Sequence, residues 1–327
     1  MGYSNRTNLP LPIAVMLAAD GYDHNDDVVS VTKFIKPVRE LILTDRVNPK
    51  SVIVQDPDVL DMLKSRLGTA THAHLENVWL NEKVRTAALL SLGLPKKSVD
   101  KIVVNPETLK KGDIPMYTEK TGFKEVEGLV FRGTADIIFN YRLGDLKQTS
   151  TFSFRDPGKD HKYSLQGSLY RWMMPDLIKE DSMDIYEVYL NWERFKSLQD
   201  PNGYPNEPVI VKNIPLMSIK ETDRYVRNKI KLIDELYDAP DDKIPECTDE
   251  ELWRKPPVFK YYVDPDKRAR SSGNFSTYAE AQEKKHSKGD VGIIVEVKSK
   301  VGACKFCPAL PACGQAKRYA QSGELEV

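Results

Sequence analysis

Long apolar runs are missing from this chain of 327 residues. Nothing approaches the roughly 18–20 residues of a membrane span. The run "LPIAVMLAA" near the start is too short, and "DGYDHNDD" follows it where a small-residue cleavage site would belong, so no signal peptide and no membrane partner are expected. Cysteine is scarce, with Cys247, Cys304, Cys307 and Cys313 the whole complement. Without a secretory signal these are expected as reduced thiols in a cytoplasm, which favours a metal over disulfides. An excess of either charge is also lacking, since Lys+Arg and Asp+Glu are 48 each. A protein that coats DNA by electrostatics alone should be basic. Neutrality therefore argues against that class, but not against an enzyme whose acidic metal site offsets basic contacts elsewhere. No internal repeat or low-complexity stretch occurs. "GTATHAHLE" is not a Gly-rich phosphate loop, and the absence of a flavin or nicotinamide fingerprint argues against a redox enzyme.

What is present describes a globular chain with ample core, 40% hydrophobic and 29% charged. Its length exceeds the usual ~100–200 residues of one domain, so an elaborated core or a core with an appendage is expected. Residues 11–20 and 31–45 read as short helices, with Ser30 an N-cap for the second, and 54–94 as mostly helical. "KIVVNP", "EGLVFRGTADIIFN", "GDLKQTSTF", "MDIYEVYLNW" and "PVIVKNIPLM" read as strands, rich in β-branched and aromatic residues. "YSLQGSLYRWMMPDLIKE" interrupts them with helical spacing, and a long amphipathic helix spans 218–237. The acidic, proline-rich "DAPDDKIPECTDEELWRKPP" marks a boundary, after which come a helix ("TYAEAQEKKH"), a strand ("VGIIVEV") and a cysteine-rich tail. This gives an α/β or α+β class. Three regions are expected: helical 1–97 carrying His72, a core at 98–240, and a cysteine-rich appendage at 241–327.

The stretch "GTADIIFNYRLGDLKQTS" places Asp136, Asp145 and Lys147 around one turn. Asp145 and Lys147 share a face if extended. A turn at Tyr141–Arg142 would set Asp136 opposite Lys147. Taken alone, a cross-strand salt bridge on a solvated face is the commoner origin of such a patch. Its alternative is a divalent-metal site, in which carboxylates hold the ion and a lysine orients water or phosphate. Two helical i,i+4 pairs could serve the same pocket: His72 with Glu76, and Gln166 with Tyr170. Each is also what an ordinary half-buried helix shows, and His74 is read as that.

The tail "CKFCPALPAC" reads C-x2-C-x5-C, and a four-thiolate site must recruit Cys247. Zn²⁺ and an iron–sulfur cluster both accept four thiolates. A Cys304–Cys307 disulfide and four unrelated buried thiols are the plainer alternatives.

Taken in order, Gly68/His72/Glu76, Gly133/Asp136, Asp145/Lys147 and Gln166/Tyr170 form G-x-x-x-H-x-x-x-E, G-x-x-D, D-x-K and Q-x-x-x-Y. The set resembles the RecB-like branch of the PD-(D/E)XK nuclease superfamily over roughly residues 31–170. The resemblance implies a restriction-endonuclease-like core, a central mixed sheet flanked by helices, with a C-terminal cysteine-rich metal-binding appendage. It implies Mg²⁺ or Mn²⁺ on Asp136, Asp145 and the backbone carbonyl of Leu146, with His72 a further ligand and Glu76 an outer or second-metal group. Lys147 would position the hydrolytic water, and Gln166 and Tyr170 would complete the site beside the DNA backbone. The terminal triad is similar to that of the AddB helicase-nuclease subunit and CRISPR-associated RecB-like nucleases, which implies a [4Fe–4S] cluster on Cys247, Cys304, Cys307 and Cys313, with Zn²⁺ the runner-up. In those relatives the distant cysteine lies upstream of the nuclease motifs, whereas Cys247 lies downstream.

The layout also looks like phage-encoded RecB-like exonucleases, in "VSVTKFIKPVRELIL", "NWERFKSLQDPNGYP" and "PECTDEELW". Implied is a metal-dependent deoxyribonuclease in the host-cell cytoplasm. It would act on DNA ends during replication, recombination or DNA degradation, with replication or recombination proteins as partners. A structure-specific endonuclease and a non-catalytic DNA-end- or partner-binding protein are the alternatives.

Overall fold

The computed structural model describes residues 2–19, 27–47, 57–154 and 158–326. In chain order the first elements are α1 (Leu11–Ala18), β1 (Val29–Ser30), α2 (Val31–Phe34), α3 (Val38–Arg46), α4 (Leu63–Leu80), α5 (Glu82–Ser91) and α6 (Lys96–Val99). Strands β2 (Ile102–Val104), β3 (Ile114–Val126), β4 (Leu129–Phe139) and β5 (Arg142–Thr149) follow, then α7 (Gly158–Met173) and β6 (Ser182–Tyr189). Next come α8 (Arg194–Gln199), β7 (Val209–Pro215), α9 (Ile219–Leu236), β8 (Val258–Tyr262) and β9 (Gly273–Phe275). Helix α10 (Tyr278–His286), β10 (Ile293–Val297) and α11 (Gly314–Gln321) complete the chain. Contacts divide it into two compact units, Met1–Ile35 with Ile53–Lys231 and Lys36–Val52 with Leu232–Val327.

The first unit is built on a seven-stranded mixed sheet in the order β2-β3-β4-β5-β6-β7, with β1 added in parallel to β4. Strands β3, β4 and β5 form an antiparallel meander. Helix α7 then returns the chain so that β6 lies parallel to β5, as parallel neighbours require a long crossover. Phe131, Ala135, Ile138 and Leu143 from the sheet meet Leu169, Tyr170, Trp172 and Met173 of α7 in the main core. A smaller cluster sets Met116 and Ile137 against Leu75 and Trp79 of α4. The class is thus mixed α/β, a central mixed sheet flanked by helices. Among the described residues no helix is long and apolar enough to cross a membrane.

The second unit carries a small antiparallel sheet, β10-β8-β9, and a core of Ile42, Leu43, Ile244, Leu252 and Val301 with the cysteine loop.

Helices appear at the first and third expected places as far as these are described, residue 20 and residues 54–56 lying outside. The single helix expected at 31–45 is two, because Pro37 has no N–H to continue the ladder and caps α3 instead. Strand β3 was not among the expected strands; its middle is charged, yet it pairs along nearly its whole length with β4, while β2 pairs only with its first three residues.

Candidate metal centre and cysteine cluster

Hairpin β4–β5 turns on Asn140 and Tyr141, both with positive φ (47° and 67°), as a two-residue primed turn requires. The pairs are Ile137 with Gly144, Ile138 with Leu143 and Phe139 with Arg142. The turn sits one residue earlier than expected, which corrects the register: Asp136 falls opposite Asp145, not Lys147. This ladder ends at Ile137, whereas β5 continues along β6 from Leu143 to Thr149. Strand β5 therefore parts from β4 at the aspartates. Into the gap Asp136 extends its carboxylate, and Oδ2 accepts the backbone N–H of Leu146 at 3.1 Å.

On the other side of β4, the pairs Thr118–Ile137 and Lys120–Ala135 bracket Glu119 and Asp136. Glu119 has φ +47°, so the ladder is interrupted there. The registers align Glu119, Asp136 and Asp145 in one row across three strands. Helix α4 covers this row and is tied to β5 by the Gln148 amide donating to Thr71 Oγ1. It sets His72 Nδ1 at 3.4 Å from Glu119 Oε1 and 3.5 Å from Asp136 Oδ2. Among the described residues, His72, Glu119 and Asp136 form a group whose ligand atoms all lie within 4.8 Å of one another.

Electrostatics show what the cluster lacks. Burial pushes the Asp136 carboxyl up to about 7, and the neighbouring Asp145 charge pushes the same way. The bond to Glu119 raises His72 above its ordinary value against the opposing effect of burial. Asp145 is 2% exposed. Its Oδ2 is held by the Lys147 ammonium at 2.6 Å. A carboxyl that holds its proton near neutrality, set among an imidazole and two further carboxylates, is what a cation would satisfy. Oxygen donors plus one imidazole fit Mg²⁺ or Mn²⁺, the imidazole favouring Mn²⁺.

The remaining motif residues are placed as follows. Lys147 is paired with Asp145, with about a third of its side chain exposed. Gln166 Nε2 donates to Tyr170 Oη at 2.9 Å, both residues buried. Gly133 lets α7 press on β4: a Cβ there would stand 2.6 Å from Met173 Cε, 2.7 Å from Tyr170 Cε1 and 2.8 Å from Val31 Cγ2. Gly68 has nothing comparable around it. Glu76 is half-buried one turn beyond His72 and outside the metal-ligand group, while His74 is exposed on α4. Glu119 is the residue that sequence reasoning missed. Its only signal is a glutamate inside "IPMYTEKTGFKEV", and that becomes legible only with the strand register.

In the second unit all four cysteines, none in a disulfide, line one cavity of about 40 Å³ with Arg39, Glu251 and Gln315. Gln315 clasps the Cys247 peptide, its Oε1 accepting that residue's N–H at 2.9 Å and its Nε2 donating to the carbonyl at 2.9 Å. This draws the distant cysteine onto the helix that follows Cys313. Burial pushes the Cys247 thiol up to about 12, helped by Glu251, pushes Cys307 up to about 11 and raises Cys304. Such thiols stay protonated until a soft cation displaces the protons. Four sulfur donors around one cavity suit a soft metal centre and not Mg²⁺. Among the described residues no three of the sulfurs lie within 4.8 Å of one another, wider than the roughly 4 Å between ligands of a single Zn²⁺.

No protein-family model matches the chain, and no curated protein matches it. Among solved structures, the crystal structure of SSO0001 is similar at 12% identity and a TM-score of 0.36, covering 65% of this chain and 79% of that one. A phage-related exonuclease from Haemophilus somnus 129PT is similar at 13% identity and a TM-score of 0.25, covering 62% and 94%. At these values neither likeness bears on what this chain does.

Proposed function

We propose that the chain is a Mg²⁺- or Mn²⁺-dependent deoxyribonuclease acting on DNA ends. The observation that carries this is the group His72–Glu119–Asp136, with Asp145 and its lysine next in the row, at the point where β4 and β5 separate. Hydrolysis joins a water oxygen to phosphorus, breaks the bond to the leaving sugar oxygen and passes through a state of concentrated negative charge. A divalent cation at this row supplies positive charge to the phosphate and lowers the pKa of a bound water.

The chain's own groups do the rest. Asp136, His72 and Glu119 are ligands, while Asp145, expected from the sequence as a ligand, lies outside their group of mutually close ligand atoms. Asp145 holds the Lys147 ammonium, and Lys147 reaches solvent, where it orients the attacking water or a phosphate oxygen. Asp136 in turn fixes Leu146 through its amide, aligning the backbone carbonyl assigned to the ion. Gln166 and Tyr170, bonded to each other, brace α7 beside β4. The four cysteines hold an iron–sulfur cluster, with zinc as the alternative, and its role is structural: it orders a loop-rich segment by turning metal-binding energy into folding energy.

End-labelled linear DNA and a covalently closed circle, each incubated with Mn²⁺ or Mg²⁺, test the proposal. The linear form should be degraded from its ends and the circle spared. Asp136→Asn should lose about 10³-fold in rate, ~4 kcal/mol of transition-state stabilisation. Cleavage of the circle would make it an endonuclease, and DNA binding without cleavage by the wild type would make it an end-binding protein. Undiminished cleavage by the variant would refute the site.

A further inference from the structure

Arg39, on α3, is 3% exposed, an unusual burial for a guanidinium. Its Nε donates to Cys313 Sγ at 3.3 Å, across a sequence separation of 274. Its Nη1 donates to the carbonyls of Ile244 at 2.8 Å and Asp241 at 3.2 Å. Its Nη2 donates to the Asp241 carboxylate. Asp241 also accepts the N–H of Gly314, the residue after Cys313, at 3.1 Å through Oδ2. Arginine, carboxylate and cysteine backbone are thus locked together before any metal is considered.

Arginine does not lose its proton in proteins, so this is a permanent buried positive charge. The Asp241 carboxylate, about a third exposed, balances it only in part. An N–H bond to a neutral thiol is weak because the sulfur carries little charge. The same bond to a metal-bound thiolate is charge-assisted and shorter. The side chain is therefore arranged for the thiolate form of Cys313. Planarity matters too: a lysine has one flexible ammonium and cannot hold two carbonyls, a carboxylate and a sulfur in one plane.

We infer that Arg39 is a built-in N–H donor to the metal-bound sulfur of Cys313, a positioning residue that favours the more negative, reduced state of an iron–sulfur centre and so sets its potential. This rests on the cluster assignment made above. Hydrogen bonds to the sulfurs and net charge are among the factors that fix such potentials. A donor on one sulfur stabilises the added electron, so removing it makes the centre harder to reduce.

Anaerobically purified full-length wild type, Arg39→Met, Arg39→Lys and Asp241→Asn are compared for iron per chain, absorbance near ~400 nm and midpoint potential followed by electron paramagnetic resonance. Arg39→Met should shift the reduction equilibrium about tenfold towards the oxidised state, ~59 mV for one electron. Arg39→Lys should fall between it and the wild type. Asp241→Asn removes a negative charge and keeps the Arg39 donor, so it should shift the opposite way, whereas a merely structural role would move both variants alike. If Arg39→Met fails to fold, Arg39→Lys decides. A full cluster with unchanged potential in the arginine variants overturns the inference alone. A wild type without iron overturns the cluster assignment and the inference with it.

Discussion

Glu119 combines a backbone cost with a place beside His72 and Asp136. Its backbone lies in the left-handed region at φ +47°, where a side chain costs about 1–2 kcal/mol, and its carboxylate shares a small space with Asp136. Strain of this kind gathers at functional sites because the surrounding structure must enforce it. Glu119→Gly should relieve the backbone and lose the His72 contact together, leaving the metal-free protein within about 1 kcal/mol of wild type in urea unfolding, while Mn²⁺ affinity falls about tenfold or more. A variant that loses stability without losing affinity would show that this glutamate is a strand residue and nothing else. The residues that converge on it, His72 and Asp136, were legible in the sequence as motif positions. Glu119 was not, since nothing in "YTEKTG" distinguishes a ligand from a solvated charge until the register places it.

At the scale of elements, the site depends on how closely α7 lies on β4. Gly133 is the contact point, where a methyl group would meet Met173, Tyr170 and Val31 at 2.6–2.8 Å. Gly133→Ala should therefore destabilise by about 1–3 kcal/mol through overpacking, read as a lowered midpoint in thermal unfolding. An unchanged midpoint would mean that α7 can move away freely. Hairpin β4–β5 was legible from its alternation, but its turn was placed one residue late. A tyrosine beside an asparagine is a weak signal for two consecutive positive φ values. Strand β3 was not legible: Glu119, Lys120, Lys124 and Glu125 obscure its period, and the long antiparallel pairing with β4 overrides that local preference. The break between α2 and α3 follows from Pro37 alone.

For the whole molecule, a net charge of zero conceals a strongly uneven local balance. Asp136 has its folded pKa raised from 3.8 to about 7, so between those values the folded chain binds more protons than the unfolded one. Stability then falls as pH rises through that window. His72, also raised, contributes stability that is complete below its unfolded value and is lost as pH climbs through the folded one, in the same direction. The metal-free protein should accordingly be more stable near pH 5 than near pH 8, by an amount on the order of a few kcal/mol. Asp136→Asn should flatten most of that slope in denaturant titrations across pH. A slope of opposite sign would mean that Asp136 is held ionised by groups on the protein. The mixed α/β class and the clustering of three cysteines were legible from periodicity and spacing. The clasp of Gln315 on Cys247 and the burial of Arg39 were not, because both join segments far apart in the chain.

The most direct test of the metal centre is a Mn²⁺ titration of metal-free protein at neutral pH, with the free ion followed by electron paramagnetic resonance. Wild type should show saturable binding that releases protons, and Asp136→Asn and His72→Ala should each lose it. Equal binding by wild type and both variants, or none by the wild type, would contradict a cation centre at the parting of β4 and β5.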